Sequence, residues 1–180
     1  MGNSRFIIGK LEFSRRRLLM AVAAAAASAI DAATAQAAWQ EFRRDDLGFR
    51  IEMPGRPTVE ENKGLPRENW IRSLDAQVEY EKLSYGIVYT AYKTVSADEM
   101  LKQFRTALSV MGAPITESVL TVNGFPAREF IVEPGIIDGA YYRIVFVENA
   151  VITVQVVGGR HTDPSVRRFV DSFRLLAGAK

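Results

Sequence analysis

The sequence predicts an α+β domain, a mainly antiparallel sheet with two main helices, preceded by a segment outside the fold. Three observations carry this reading. The first 37 residues differ from the rest in composition, the remainder reads as short strands joined by turn signals, and two stretches repeat at helical spacing.

The leading segment comes first. Met1 to Arg17 is polar and basic and ends in Ser14-Arg15-Arg16-Arg17-Leu18-Leu19. Leu18 to Ile30 is apolar and largely alanine, and Ala35-Gln36-Ala37 places small residues around one arbitrary residue, as signal peptidase requires. The apolar run has 13 residues where a spanning helix needs roughly 20, so no permanent membrane anchor is expected. Serine, two arginines, one variable residue and two apolar positions resemble the twin-arginine export motif. An ordinary Sec signal with an extra arginine is the plainer alternative. The resemblance implies recognition of Arg15 and Arg16 by the twin-arginine translocase. Cleavage after Ala35-Gln36-Ala37 would release a single domain, 38–180, into a bacterial periplasm.

Removing residues 1–37 leaves 143, enough for one core without covalent staples. Of the 23 basic and 21 acidic residues, the leader holds five and two, leaving 18 against 19. The basic balance belongs to the leader, so nucleic-acid binding loses its compositional support. Without cysteine there is no thiolate catalysis, thiolate-bound zinc or iron–sulfur cluster.

In the domain, Trp39 to Met53 reads as a hairpin: Phe42 in the first strand, a turn at Asp45-Asp46-Leu47-Gly48, then alternation through Phe49–Met53. Glu60 to Arg67 is polar, with Gly64 and Pro66, and predicts a surface loop. Strands are expected at Trp70–Leu74, Val78–Leu83 and Ile87–Val95, the last two joined at Ser84-Tyr85-Gly86. The third is apolar on both faces and should lie inside its sheet. Ser96 and Glu99 then stand at capping-box spacing before a helix with Leu101, Phe104, Leu108 and Met111 on one face. Gly112 and Pro114 end it.

Thr116–Val122 and Phe125–Val132 flank Asn123-Gly124, the strongest short hairpin signal. Tyr141–Val147 and Val151–Val157 form another hairpin about Glu148-Asn149-Ala150. Asp163-Pro164 opens a closing helix whose Val166, Phe169, Val170 and Phe173 repeat at i, i+3, i+4, i+7.

This order of elements is similar to the PsbP-like fold of a photosystem extrinsic subunit, a small nuclear-transport cofactor and many bacterial exported domains. The resemblance covers most of 39–176 and rests on Asp46-Leu47-Gly48-Phe49-Arg50-Ile51-Glu52-Met53-Pro54, Asn123-Gly124-Phe125-Pro126-Ala127-Arg128-Glu129 and Arg168-Phe169-Val170-Asp171-Ser172-Phe173. It implies an α/β/α sandwich, with protein binding commoner than catalysis. Its patterns are fold-determining and transfer no functional residue.

Candidate chemistry is sparse. His161 is the one histidine, which excludes two-histidine metal motifs and favours a surface residue beside a helix start. No serine stands in a G-x-S-x-G turn. Gly158-Gly159-Arg160 precedes a helix, where anions bind, but lacks the P-loop lysine and reads better as a strand exit. Asp45-Asp46 and Glu60-Glu61 are expected to be solvated charges, since strand neighbours point to opposite faces. Tyr80, Tyr85, Tyr89, Tyr92, Tyr141 and Tyr142 form the candidate binding surface, with ordinary strand packing as the plainer reading. No catalytic, metal or cofactor-binding residue is assigned. The expectation is a non-enzymatic module that binds or assembles with an envelope protein; the alternative is a carrier of a small apolar or aromatic ligand.

Overall fold

Strand alternation and turn chemistry build two sheets in the computed structural model, which describes residues 38–110, 112–134 and 139–176 together with the paired two-residue strands β1 (Ile7–Ile8) and β2 (Leu11–Glu12). Arg15, Arg16, Ala35, Ala37 and Met111 lie outside the described residues. No helix among the described residues is long and apolar enough to cross a membrane.

β3 (Gln40–Arg44) and β4 (Phe49–Met53) form the expected hairpin around the Asp45–Leu47 turn, with Gly48 in the left-handed region. β12 (Arg174–Leu175), absent from the sequence reading, adds to the other side of β4 and completes a three-stranded sheet.

The larger sheet holds seven strands, all antiparallel, in the order β5-β6-β7-β11-β10-β9-β8. Its members are β5 (Thr58–Lys63), β6 (Trp70–Tyr80), β7 (Leu83–Tyr92), β8 (Ile115–Val122), β9 (Phe125–Val132), β10 (Ala140–Val147) and β11 (Ala150–Val157). β7 lies between β6 and β11, the interior position its two apolar faces suggest.

Two expectations are corrected. Thr58–Lys63 is a strand, not part of a loop; all six residues are exposed and it lies at the sheet edge, so backbone pairing to β6 holds it without an apolar face. The pieces Trp70–Leu74 and Val78–Leu83 merge into β6, and the turn falls at Glu81-Lys82, not at Ser84-Tyr85-Gly86. Glu81 and Lys82 both take positive φ, at 50° and 66°, the primed-turn geometry that suits strand twist. Gly86 stays inside β7 because the side chains of Gln155 and Gln77 close over it, leaving 3.1–3.4 Å for an added Cβ.

α1 (Ala97–Ser109) covers one face of the large sheet, and Ser96 Oγ accepts a hydrogen bond from the Glu99 N–H at 3.4 Å. α2 (Pro164–Ser172) and the small sheet cover the other. Asp163 precedes Pro164 as expected but makes no side-chain bond to the helix; its Oδ2 accepts from the Arg160 N–H instead.

Candidate functional site

The pleat of the large sheet sends alternate residues to two unlike faces. Toward α2, Leu74, Tyr85, Ile87, Val145, Ile152 and Val154 pack with Phe49, Ile51, Phe169 and Phe173 in one continuous core. Toward α1, Phe130, Tyr142, Ile144 and Phe146 pack under Leu101, Phe104 and Leu108. Phe104 is the centre of that contact, its ring 5.0 Å from Phe130 and 5.2 Å edge-on to Tyr142.

Outside this helix contact the same face stays half-open. Ser73, Asp75, Ser84, Val88, Thr153 and Gln155 are partly buried and Gln77 is exposed. Gln77 Nε2 donates to both Asp75 oxygens at 2.9 and 3.1 Å. The registers Asp75↔Val88↔Thr153 and Gln77↔Gly86↔Gln155 place them in two adjacent cross-strand rows. The result is a mostly polar patch of hydrogen-bonding side chains around one apolar residue, Val88. Where it meets α1, Val88, Thr90, Tyr92, Met100, Phe104 and Val151 help line a cleft of about 60 Å³. A shallower hollow of about 370 Å³, between Phe42, Arg56, Pro57 and Val59, lies largely open to solvent.

The six tyrosines are not brought onto one surface. Tyr85, Tyr89 and Tyr141 are buried in the α2-side core and Tyr80 packs against it, whereas Tyr92 and Tyr142 are buried on the α1 side. Of the six, Tyr92 lines the cleft. Burial pushes Tyr142 up to about 12 and also raises Tyr85, Tyr89 and Tyr92. Their strand packing follows from parity: on β7, residues 85 and 89 share a face and residue 92 takes the other.

A charged group does lie in the core. Arg143 and Glu129 are direct cross-strand partners on β10 and β9, with side chains 11% and 19% exposed. Arg143 Nε donates to Glu129 Oε1 at 2.9 Å, Arg143 Nη1 donates to the Val170 carbonyl at 3.0 Å, and the Tyr141 hydroxyl donates to Glu129. Burial opposes charge on Glu129, but the bonds from Tyr141 and Arg143 prevail and hold its carboxyl below the ordinary value. Burial and the Glu129 bond push Tyr141 far above the phenol range. Arg143 thus ties two strands to the last turn of α2, where a cation also complements the helix dipole. The sequence reading missed this group. Its signal was parity: a charged Arg143 shares a strand face with Tyr141, Val145 and Val147.

The paired acids are also better partnered than solvated charges. Neighbours do diverge, but Asp46 and Glu61 meet across chain segments: Arg44 contacts Asp46 at 2.9 Å and Glu61 at 2.7 Å, and Arg72 contacts Asp46 at 3.0 Å. The bond from Arg44 holds Asp46 far below the usual carboxylate range. Asp45 bonds Arg43 at 2.8 Å. These are surface pairs that join β3 to the edge of the large sheet.

His161 is partly buried in the turn after Gly158-Gly159-Arg160, and Gly158, at φ 97°, leaves β11 through a bond from its N–H to the Gly139 carbonyl at 3.1 Å. Among the described residues no three or more of His, Cys, Asp and Glu gather as a metal site. No family model matches the chain, and no curated protein matches it significantly. What stands is an α+β domain with a mainly antiparallel sheet, whose fully covered face is structural and whose half-covered face offers the candidate surface.

Proposed function

We propose that this chain is an exported, non-enzymatic module that holds an envelope protein partner on the half-open face beside α1. One observation carries the reading: Val88, Thr153 and Gln155 are partly exposed on central strands and line a cleft too small for a ligand. Ligand pockets usually enclose roughly 300–1,000 Å³. Non-obligate protein contacts are largely polar and carry about one hydrogen bond per 100–200 Å², which suits the Asp75, Gln77, Thr153 and Gln155 side chains around Val88. A photo-crosslinking residue at Val88 or Thr153, expressed in the envelope, should trap one discrete protein adduct, while the same residue at exposed Thr106 on α1 should trap none. Equal labelling at all three positions, or none at any, would overturn the reading.

The apolar lining of the cleft favours a second reading, a carrier of a small apolar or aromatic ligand admitted when α1 lifts. Native mass spectrometry separates the two. A stoichiometric small-molecule adduct supports the carrier, and a bare chain that crosslinks to protein supports the module.

The export route belongs to the same proposal. It rests on Arg15-Arg16, the alanine-rich run and Ala35-Gln36-Ala37. A mature mass starting at Ala38, with an Arg15→Lys/Arg16→Lys precursor retained inside the cell, is expected; an uncleaved chain in the membrane fraction would sink it. The finer fold reading, a PsbP-like α/β/α sandwich, is supported by the layer order of α1, large sheet, then α2 with the small sheet. An experimental structure whose layers fail to superpose on that fold would reject it.

A further inference from the structure

The two ends of the large sheet are defended differently. β5 presents Glu60, Glu61 and Lys63, and Arg44 reaches Glu61 from β3. Charges on an edge strand discourage pairing with another chain. β8, at the opposite end, reads Ile-Thr-Glu-Ser-Val-Leu-Thr-Val, with β-branched residues at 115, 116, 119, 121 and 122 and no lysine, proline or glycine. Its one charge, Glu117, is already bound by Arg105 at 2.7 Å and approached by Arg128 at 3.6 Å. Val119 is 75% exposed and Ile115 36%.

The direction of the unused backbone groups can be read from the register. Thr121 faces Pro126, which has no N–H, so that pair exchanges no ladder bonds. Pro114 accepts from the Glu133 N–H at 3.0 Å, so even-numbered residues bond inward. Ile115, Glu117, Val119 and Thr121 therefore turn their N–H and C=O groups outward, where no strand pairs with them among the described residues.

We infer that β8 pairs with β8 of a second copy of this chain, antiparallel about a two-fold axis at Ser118. In that register Ile115 meets Thr121 and Glu117 meets Val119, so every outward donor and acceptor finds a partner. Because Glu117 is neutralised within its own chain, two copies meet without like-charge repulsion, whereas a charged peptide would find no unengaged opposite charge on the strand. Eight residues a side is well below the roughly 20–30 of a standard stable interface, so the dimer is weak and concentration-dependent. The inference is independent of the function proposed above, since β8 and the β6–β7–β11 patch are separated by β9 and β10.

Sedimentation equilibrium on the purified protein, from about 1 μM to about 1 mM, tests it. A monomer–dimer equilibrium is expected, with Val119→Lys raising Kd by about tenfold or more and Val59→Lys on β5 leaving it unchanged. Circular dichroism checks that both variants fold, which the exposure of Val119 favours. The chain has no cysteine, so Ser118→Cys provides a second readout. At the axis the two Ser118 residues form a non-hydrogen-bonded pair with Cα atoms about 4.5 Å apart, close enough for a disulfide. Ser118→Cys should cross-link under mild oxidation much faster than Asn62→Cys on β5. A monomer at every concentration, a dimer untouched by Val119→Lys, or equal cross-linking at the two sites would overturn the inference.

Discussion

The two faces of the large sheet use the same strands and reach different degrees of closure. On the α2 side, 23 described residues are buried in one cluster, and nine-residue α2 buries Val166, Phe169 and Val170. On the α1 side the cluster has ten, and 13-residue α1 buries only Leu101 and Leu108. The difference lies in what backs each helix. α2 shares its face with the three-stranded sheet and is bonded to β10 through Arg143, whereas α1, tied to β8 by the Arg105–Glu117 pair, has no second sheet beside it among the described residues. The closed face holds the larger part of the core; the open one leaves Val88, Thr153 and Gln155 partly exposed.

The largest effects should fall on the closed face. Phe169→Ala removes a fully buried ring packed 5.2 Å from Tyr85 and should cost about 3–5 kcal/mol in a urea titration. Leu101→Ala should cost about 2–3 kcal/mol, because the half-covered α1 layer can relax into the vacancy. Equal losses would erase the proposed asymmetry. Arg143→Met belongs with the first group: it leaves the Glu129 carboxylate buried without its cation, a loss of about 3–5 kcal/mol. Adding Glu129→Leu to it should recover most of that loss.

Acid should also weaken the closed face. Glu129 has a folded pKa below its ordinary value of 4.5, so its contribution is fully present above that value and is lost as pH falls toward the folded one. Stability measured from pH 7 down to 3 should decline less steeply in Glu129→Gln. Tyr141, whose folded pKa is raised, behaves oppositely: its contribution is present below pH 10 and lost as pH rises toward the folded value. An unchanged acid slope in Glu129→Gln would remove this carboxylate from the account.

What was legible in the sequence follows the same division. β9, β10 and β11 could be read because their apolar runs are bounded by turn signals at Asn123-Gly124 and Glu148-Asn149, and α2 because Val166, Phe169 and Val170 recur at helix period. β5 could not, since all its side chains are wet and only backbone pairing defines it. β6 was read as two pieces because Asp75 and Gln77 occupy the open face and break the apolar pattern. The turn at Glu81-Lys82 carries no glycine or asparagine, so its positive φ values had no local signal. At the candidate surface, composition suggested tyrosines, yet strand parity buries five of the six on two faces. Val88, Thr153 and Gln155 look ordinary in sequence, and only the limited reach of α1 makes them a surface.

The smallest expected effects lie at the two helix starts, where the asymmetry reverses. Ser96 caps α1 through a 3.4 Å bond to the Glu99 N–H, so Ser96→Ala should cost about 0.5–1 kcal/mol. Asp163 makes no side-chain bond to α2 and instead accepts from the Arg160 N–H at 3.0 Å, outside the helix. Asp163→Ala should therefore loosen the 158–163 turn while leaving α2 protected against hydrogen exchange. Ser96→Ala should speed exchange throughout the first turn of α1. An α2 that frayed as readily as α1 would mean that Pro164 and the Phe169 contacts do not hold its start, and that the closed face depends on its cap after all.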